Sequence, residues 1–151
     1  MKKSCLFALA ATGLLMSGAA MAAAQCSTEI EANDSMQYNK SSIVVPASCK
    51  SFTVTLKNVG KMPKTAMGHD WVLTKAADQQ AVVAESMAAG PAKDYRNPAD
   101  TKIIADTKLL GPGESDKATF AVSKLKAGES YVYFCTFPGH ANTMKGTLTV
   151  K

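Results

Sequence analysis

Three side chains with soft or borderline donor atoms stand close together near the C-terminus. Cys135, His140 and Met144 are spaced Cys-x4-His-x3-Met in Cys135-Thr136-Phe137-Pro138-Gly139-His140-Ala141-Asn142-Thr143-Met144. They follow an apolar run, Tyr131-Val132-Tyr133-Phe134, that reads as a strand entering a loop, and Pro138-Gly139 is a turn-forming pair. The turn brings the imidazole back towards the thiol, with Met144 close behind. One thiolate, two imidazoles and a weak, long thioether contact are the ligand set of blue-copper electron-transfer sites. The sequence contains two histidines, so the second imidazole must be His69, in Met67-Gly68-His69-Asp70-Trp71.

Copper alternates between Cu(II), which prefers nitrogen and oxygen donors, and Cu(I), which prefers soft, lower-coordinate surroundings. Two imidazoles and a thiolate in a near-trigonal plane suit both, and Met144 adds an axial contact that tunes the potential. Each residue also has a plainer use: His69 beside Trp71 as a core histidine, His140 as a turn residue, Met144 as packing. Taken jointly, those uses require both histidines to gather around one Cys/Met pair by accident. A Cys135/His140 nucleophile pair would need a positioned base and a third, orienting group. Structural zinc takes four strong ligands and does not call for a thioether. Neither a phosphate-binding glycine loop nor a dinucleotide fingerprint is present.

The rest of the chain must deliver these donors to one point. Met1-Lys2-Lys3, an apolar stretch from Cys5 to Met16 and the small residues Ala19-Ala20-Met21-Ala22-Ala23-Ala24 read as a secretory signal peptide. The expected organisation is a cleaved leader over residues 1–23 and one copper-binding domain over 24–151, with Ala24 as the alternative cleavage point. The mature protein is expected in the periplasm, with no membrane insertion after cleavage. Losing Lys2 and Lys3 lowers the formal charge from +5 by two. The remaining lysines interleave with acids, and no basic block suggests nucleic acid. Of four cysteines, Cys5 leaves with the leader. Cys26 and Cys49 bracket a strand-like segment and can form a disulfide, and an odd count leaves Cys135 as the thiol that needs an explanation.

Short alternating segments dominate, as in Phe52-Thr53-Val54-Thr55-Leu56 and Gly146-Thr147-Leu148-Thr149-Val150. Strands are predicted over 27–31, 37–45, 51–58, 71–74, 102–105, 115–122, 130–135 and 145–150, punctuated by Gly and Pro turns. This pattern predicts an all-β, two-sheet sandwich. Residues 76–89, rich in Ala, Gln and Glu, predict one inserted helix. Its expected start cap is Thr74, its stop Gly90-Pro91 and its buried side Val82, Val83 and Met87.

With Cys135-Thr136-Phe137-Pro138-Gly139-His140, Met144-Lys145-Gly146-Thr147-Leu148 and Met67-Gly68-His69 followed by Trp71, the chain resembles the azurins, bacterial cupredoxins, from about Ala24 to Lys151. A lone Cys-x4-His would say little; the full ordered set is specific. The resemblance implies a cupredoxin-like Greek-key sandwich with a helical flap, one type 1 copper, and a long contact from the Gly68 carbonyl. It implies a layer of Asp70, Thr136 and Phe137 around the ligands. It also implies a partner patch of Met36, Met62, Met67, Phe137, Pro138 and Gly139 around an edge of His140. The implied partners are c-type cytochromes, copper nitrite reductase or amine dehydrogenases, met as a monomer or with weak self-association. The activity expected is single-electron transfer and not catalysis. A copper carrier or chaperone would share the ligands but exchange metal readily, and a metal-free interaction module would tolerate Cys135→Ser. Asp70 departs from the family, which typically carries Asn there; Asp accepts backbone N–H bonds but donates only when protonated. Asn142-Thr143 is more polar than expected in the ligand loop. Asn58 and Asp106 stand where some azurins carry non-ligand histidines.

Overall fold

A computed structural model describes residues 25–97 and 99–151; the leader expected over 1–23 lies outside the described residues. The chain runs through β1 (Ser27–Asn33), β2 (Gln37–Tyr38), β3 (Ser42–Val45), β4 (Ser51–Asn58), a short helix α1 (Lys64–Met67) and β5 (Val72–Lys75). Helix α2 (Gln79–Ala89), β6 (Ala105–Asp106), β7 (Ser115–Ala121), β8 (Tyr131–Phe134) and β9 (Lys145–Val150) follow. The strands form two sheets, ordered β2-β1-β4-β7 and β3-β9-β8-β5-β6. β1 is parallel to β4 and β3 to β9, while the other pairs are antiparallel. The predicted all-β sandwich with one inserted helix is the observed fold. No helix of the described residues is long and apolar enough to cross a membrane.

Alternation builds the core. Phe52, Val54 and Leu56 of β4 turn inward while their neighbours face outward, as a strand with one covered face requires. Trp71 joins the two sheets: fully buried, it stacks on Phe120 of β7 at 6.5 Å and Tyr133 of β8 at 5.7 Å between ring centroids. β8 is buried at every residue because both its faces are covered. Tyr131 and Tyr133 meet the inter-sheet core, while Val132 and Phe134 pack with Val72 and with Val82 of α2. The Tyr133 hydroxyl donates to the Lys40 carbonyl at 2.6 Å. It passes directly over Gly146, where a Cβ would stand 2.2 Å from that oxygen.

Four local expectations need correction. The strand expected over 37–45 divides at Asn39, whose Oδ1 accepts the Glu31 N–H, and the chain crosses to the second sheet there. The strand expected over 102–105 shrinks to Ala105–Asp106 because Asp100 Oδ1 accepts the Lys102 N–H at 2.9 Å, a side-chain turn that displaces the ladder. Thr74 does not cap the helix: its hydroxyl donates to the Lys75 carbonyl, and a 3-10 turn, Ala76–Asp78, leads into α2. The side of α2 that faces the sheet is the i, i+4 pair Val82 and Ser86. Val83 is half-buried and Met87 is 44% exposed. The helix stops where expected, at Gly90, which has φ 70°.

The disulfide Cys26–Cys49 forms, with 5.7 Å between Cα atoms. It sits where the parallel strands β1 and β4 begin.

Candidate metal centre

His69, Cys135 and His140 converge. All three are buried, and their ligand atoms lie within 4.8 Å of one another. Cys135 Sγ stands 3.5 Å from His140 Nδ1 and 3.9 Å from the Gly68 carbonyl oxygen. Sulfur and nitrogen donors about 2.3 and 2.0–2.1 Å from one tetrahedrally held ion stand about 3.5 Å apart, so the pair is spaced for a shared metal. Met144 is fully buried. Its backbone closes the loop: its N–H donates to the His140 carbonyl at 2.8 Å, and its carbonyl accepts the Cys135 N–H at 3.1 Å.

The supports come from far along the chain. His69 exchanges backbone hydrogen bonds with Leu110 at 3.1 and 2.8 Å, and the buried Asn58 side-chain amide donates to the Leu110 carbonyl at 3.0 Å. Gly68 has an ordinary backbone angle of −69°; glycine is needed there for space. A Cβ would meet the Lys64 carbonyl at 2.7 Å and the Leu109 side chain at 2.9 Å. Asp70 ties the two ligand loops together. Its Oδ1 accepts the Thr136 N–H at 2.7 Å, its Oδ2 pairs with the Thr136 hydroxyl, and its carbonyl accepts the Tyr38 hydroxyl. The Thr136 hydroxyl also lies 3.0 Å from the Tyr95 carbonyl. One proton cannot serve two acceptors. A protonated Asp70 supplies Thr136 and frees that hydroxyl for Tyr95; an ionised Asp70 takes it instead.

The donors fit a cationic metal. Neither ring nitrogen of His69 has a hydrogen-bond partner, a costly state for buried polar atoms unless something else satisfies them. Burial lowers His69 to about 4, with the His140 ring as the second cause, and the nearby Asn33 backbone only partly opposes this. Burial also lowers His140. At neutral pH both imidazoles are therefore uncharged, the form that binds metal. Burial, followed by the Asp70 charge, pushes the Cys135 thiol well up. Burial raises Asp70 to about 6, against the hydrogen bonds from Thr136. A thiol so reluctant to ionise in an anion-disfavouring pocket becomes a thiolate when a cation enters, releasing its proton.

The structure places the expected patch residues unevenly. Met36 and Met62 are 37% and 42% exposed, Gly139 is exposed, and Met67 and Pro138 are half-buried. Phe137 is buried against His140, with 4.8 Å between ring centroids. His140 retains 2% exposure, with the Phe137 ring packed against it. Tyr38, Tyr95, Leu110 and the structural use of Asn58 were not legible from the sequence. Each reaches the site through a backbone group or a side chain dozens of residues away, and no local spacing marks such partners.

The family model described as copper binding proteins, plastocyanin/azurin family, matches residues 24–151. Azurin from Pseudomonas aeruginosa is 56% identical over 144 residues, 95% of this chain and 97% of that one. Azurin-2 from Alcaligenes xylosoxydans xylosoxydans is 61% identical over 125 residues, 83% and 97% of the two chains. Among solved structures, the azurin Az-iso2 of Methylomonas sp. strain J superposes with a TM-score of 0.81 at 45% identity, covering 85% of this chain and 99% of the other.

Proposed function

The chain belongs to the plastocyanin/azurin family of copper-binding proteins, and we propose that it shuttles single electrons between periplasmic redox proteins. The observation that carries this reading is the buried His69–Cys135–His140 cluster, with both His69 ring nitrogens left without hydrogen bonds. Copper bound there supplies a one-electron Cu(II)/Cu(I) couple. Cys135, His69 and His140 would hold it, Met144 on the same loop would add a weak thioether contact, and the Gly68 carbonyl oxygen lies 3.9 Å from Cys135 Sγ.

What the protein contributes is rigidity and dryness. Cys135 follows a strand buried on both faces, so its sulfur has little freedom to move when the charge changes. The Asp70–Thr136 contacts lock the His69 loop to the Cys135 loop, keeping one donor arrangement for both oxidation states. Phe137 shields His140 from water. The Pro138-Gly139 turn is where a partner comes nearest the donors, and Met36 and Met62 lend an adaptable apolar surface. Small interfaces suit brief redox encounters, with a c-type cytochrome, copper nitrite reductase or amine dehydrogenase as the partner. On this reading the secreted form begins after Ala23 or Ala24, works as a monomer or with weak self-association, and is an electron carrier without catalytic residues.

The test is a Cu(II) titration of the mature, disulfide-intact protein followed by visible and electron-paramagnetic-resonance spectra. An intense thiolate-to-copper band saturating at one equivalent, with narrow copper hyperfine splitting, is expected. An ordinary tetragonal Cu(II) spectrum would exclude Cys135 as a ligand and with it this function.

A further inference from the structure

Asp94 and Tyr95 both adopt left-handed backbone angles, with φ of 54° and 52°. A bulky aromatic residue rarely occupies this region, and two consecutive cases persist only where surrounding contacts fix them. Backbone bonds provide part of the restraint: Tyr95 N–H donates to the Gly90 carbonyl and Asp94 N–H to the Pro91 carbonyl, both at 3.0 Å. Ion pairs flank the segment. Lys64 Nζ meets Asp94 Oδ2 at 2.7 Å, and Arg96 Nε donates to Asp106 Oδ2 at 2.9 Å while Nη2 contacts the same oxygen. The Arg96–Asp106 side chains are 26% and 22% exposed, against 38% and 45% for the lysine pair. The arginine pair is therefore the less screened restraint.

The fixed segment makes two contacts with the ligand loop. The Tyr95 carbonyl lies 3.0 Å from the Thr136 hydroxyl, and its ring meets Phe137 edge-on at 5.5 Å and 72°. Thr136 and Phe137 are the two residues after Cys135, and Phe137 packs on His140. At the other end, Asp106 pairs with Val72, three residues after His69. The ion pair thus links the strand that follows one imidazole to the loop that carries the thiol and the other.

We propose that Arg96 is a positioning residue for the metal centre. With Asp106 it fixes Tyr95, and through Tyr95 it sets where the Thr136-Phe137 segment lies between Cys135 and His140. The effect on reduction potential rests on the electron-carrier reading; the effect on the metal-free loop does not.

The test compares Arg96→Leu, Asp106→Asn, the double variant and Arg96→Lys. Amide exchange is read in the metal-free protein, and reduction potential in the copper-loaded one. Each single change is expected to speed Thr136 exchange about fivefold, the worth of one such pair. The double variant should add little to either single, and Arg96→Lys should restore most of the protection. Both singles should move the potential in the same direction, whereas bare charge removal would move it in opposite directions. Opposite shifts, or exchange that accelerates in β4 and β7 as much as at Thr136, would overturn the proposal by reducing the pair to charge or general stability. Unchanged Thr136 exchange in the size-conserving Asp106→Asn would overturn it too, even if Arg96→Leu fails to fold. Were copper to give no blue spectrum, the exchange measurements alone would still decide.

Discussion

The two ends of the sandwich are held by different sulfur chemistry. At one end, Cys26 and Cys49 join the beginnings of β1 and β4 covalently. At the other end, Asn58, the last residue of β4, reaches Leu110 beside His69, and the thiol there stays free and buried. The disulfide end needs no electronic function and is closed permanently. The donor end is instead pre-arranged by hydrogen bonds between distant loops, leaving both His69 ring nitrogens without hydrogen bonds beside the Cys135 thiol and His140. Oxidation protects one pair of sulfurs, while burial and the lack of a partner preserve the third for a metal.

The largest test of that contrast is Cys135→Ser against a Cys26→Ala/Cys49→Ala variant. The first should abolish the blue absorption completely, and the second should leave its position and intensity unchanged. A dimmed but surviving band in Cys135→Ser would break the distinction between the two ends. In denaturant titrations the order reverses, the disulfide variant losing about 3 kcal/mol of unfolding free energy by the loop-entropy account.

A smaller effect sharpens how the donor end is tied. Asp70→Asn keeps an acceptor for the Thr136 N–H but removes a carboxylate charge close to the donors. Less stabilisation of the higher copper charge should raise the potential by about 40–100 mV and change the copper release rate. An unchanged potential and release rate would mean that Asp70 is a spacer.

The smallest effect concerns the metal-free protein between about pH 4 and pH 6.5. His69 falls from 6.5 to about 4 on folding, so the unfolded chain binds more protons in that window and stability rises with pH. His140 is shifted in the same direction. Asp70 is raised from 3.8 to about 6; the folded chain binds its proton first, so its contribution falls as pH rises through the window. The two effects oppose, leaving a shallow net increase in stability with pH. Removing the opposing group in Asp70→Asn should steepen that increase in urea titrations at pH 4.5 and 6.5. A shallower slope in the variant would contradict this assignment.

Residue type and spacing alone made the donors legible, because few chemistries use a thiol, an imidazole and a thioether within ten residues of one another. Alternation likewise marked β4 and β9 at their observed bounds, where one face is buried and the other wet. Tertiary contacts decided the rest. The buried side of α2 was only partly legible because its segment is apolar on several sides: Val82 and Val83 pack with Val132 and Phe134, whereas Met87 is exposed and Ser86 is buried. The near-complete burial of His140 depends on where the Phe137 ring falls, which no spacing encodes. Likewise, the Leu110 carbonyl, the Tyr95 carbonyl and the Arg96–Asp106 pair enter the site through backbone groups and long-range packing. Sequence specifies which atoms can bind a metal; the fold specifies how closely they stand, how dry they are and what keeps them still.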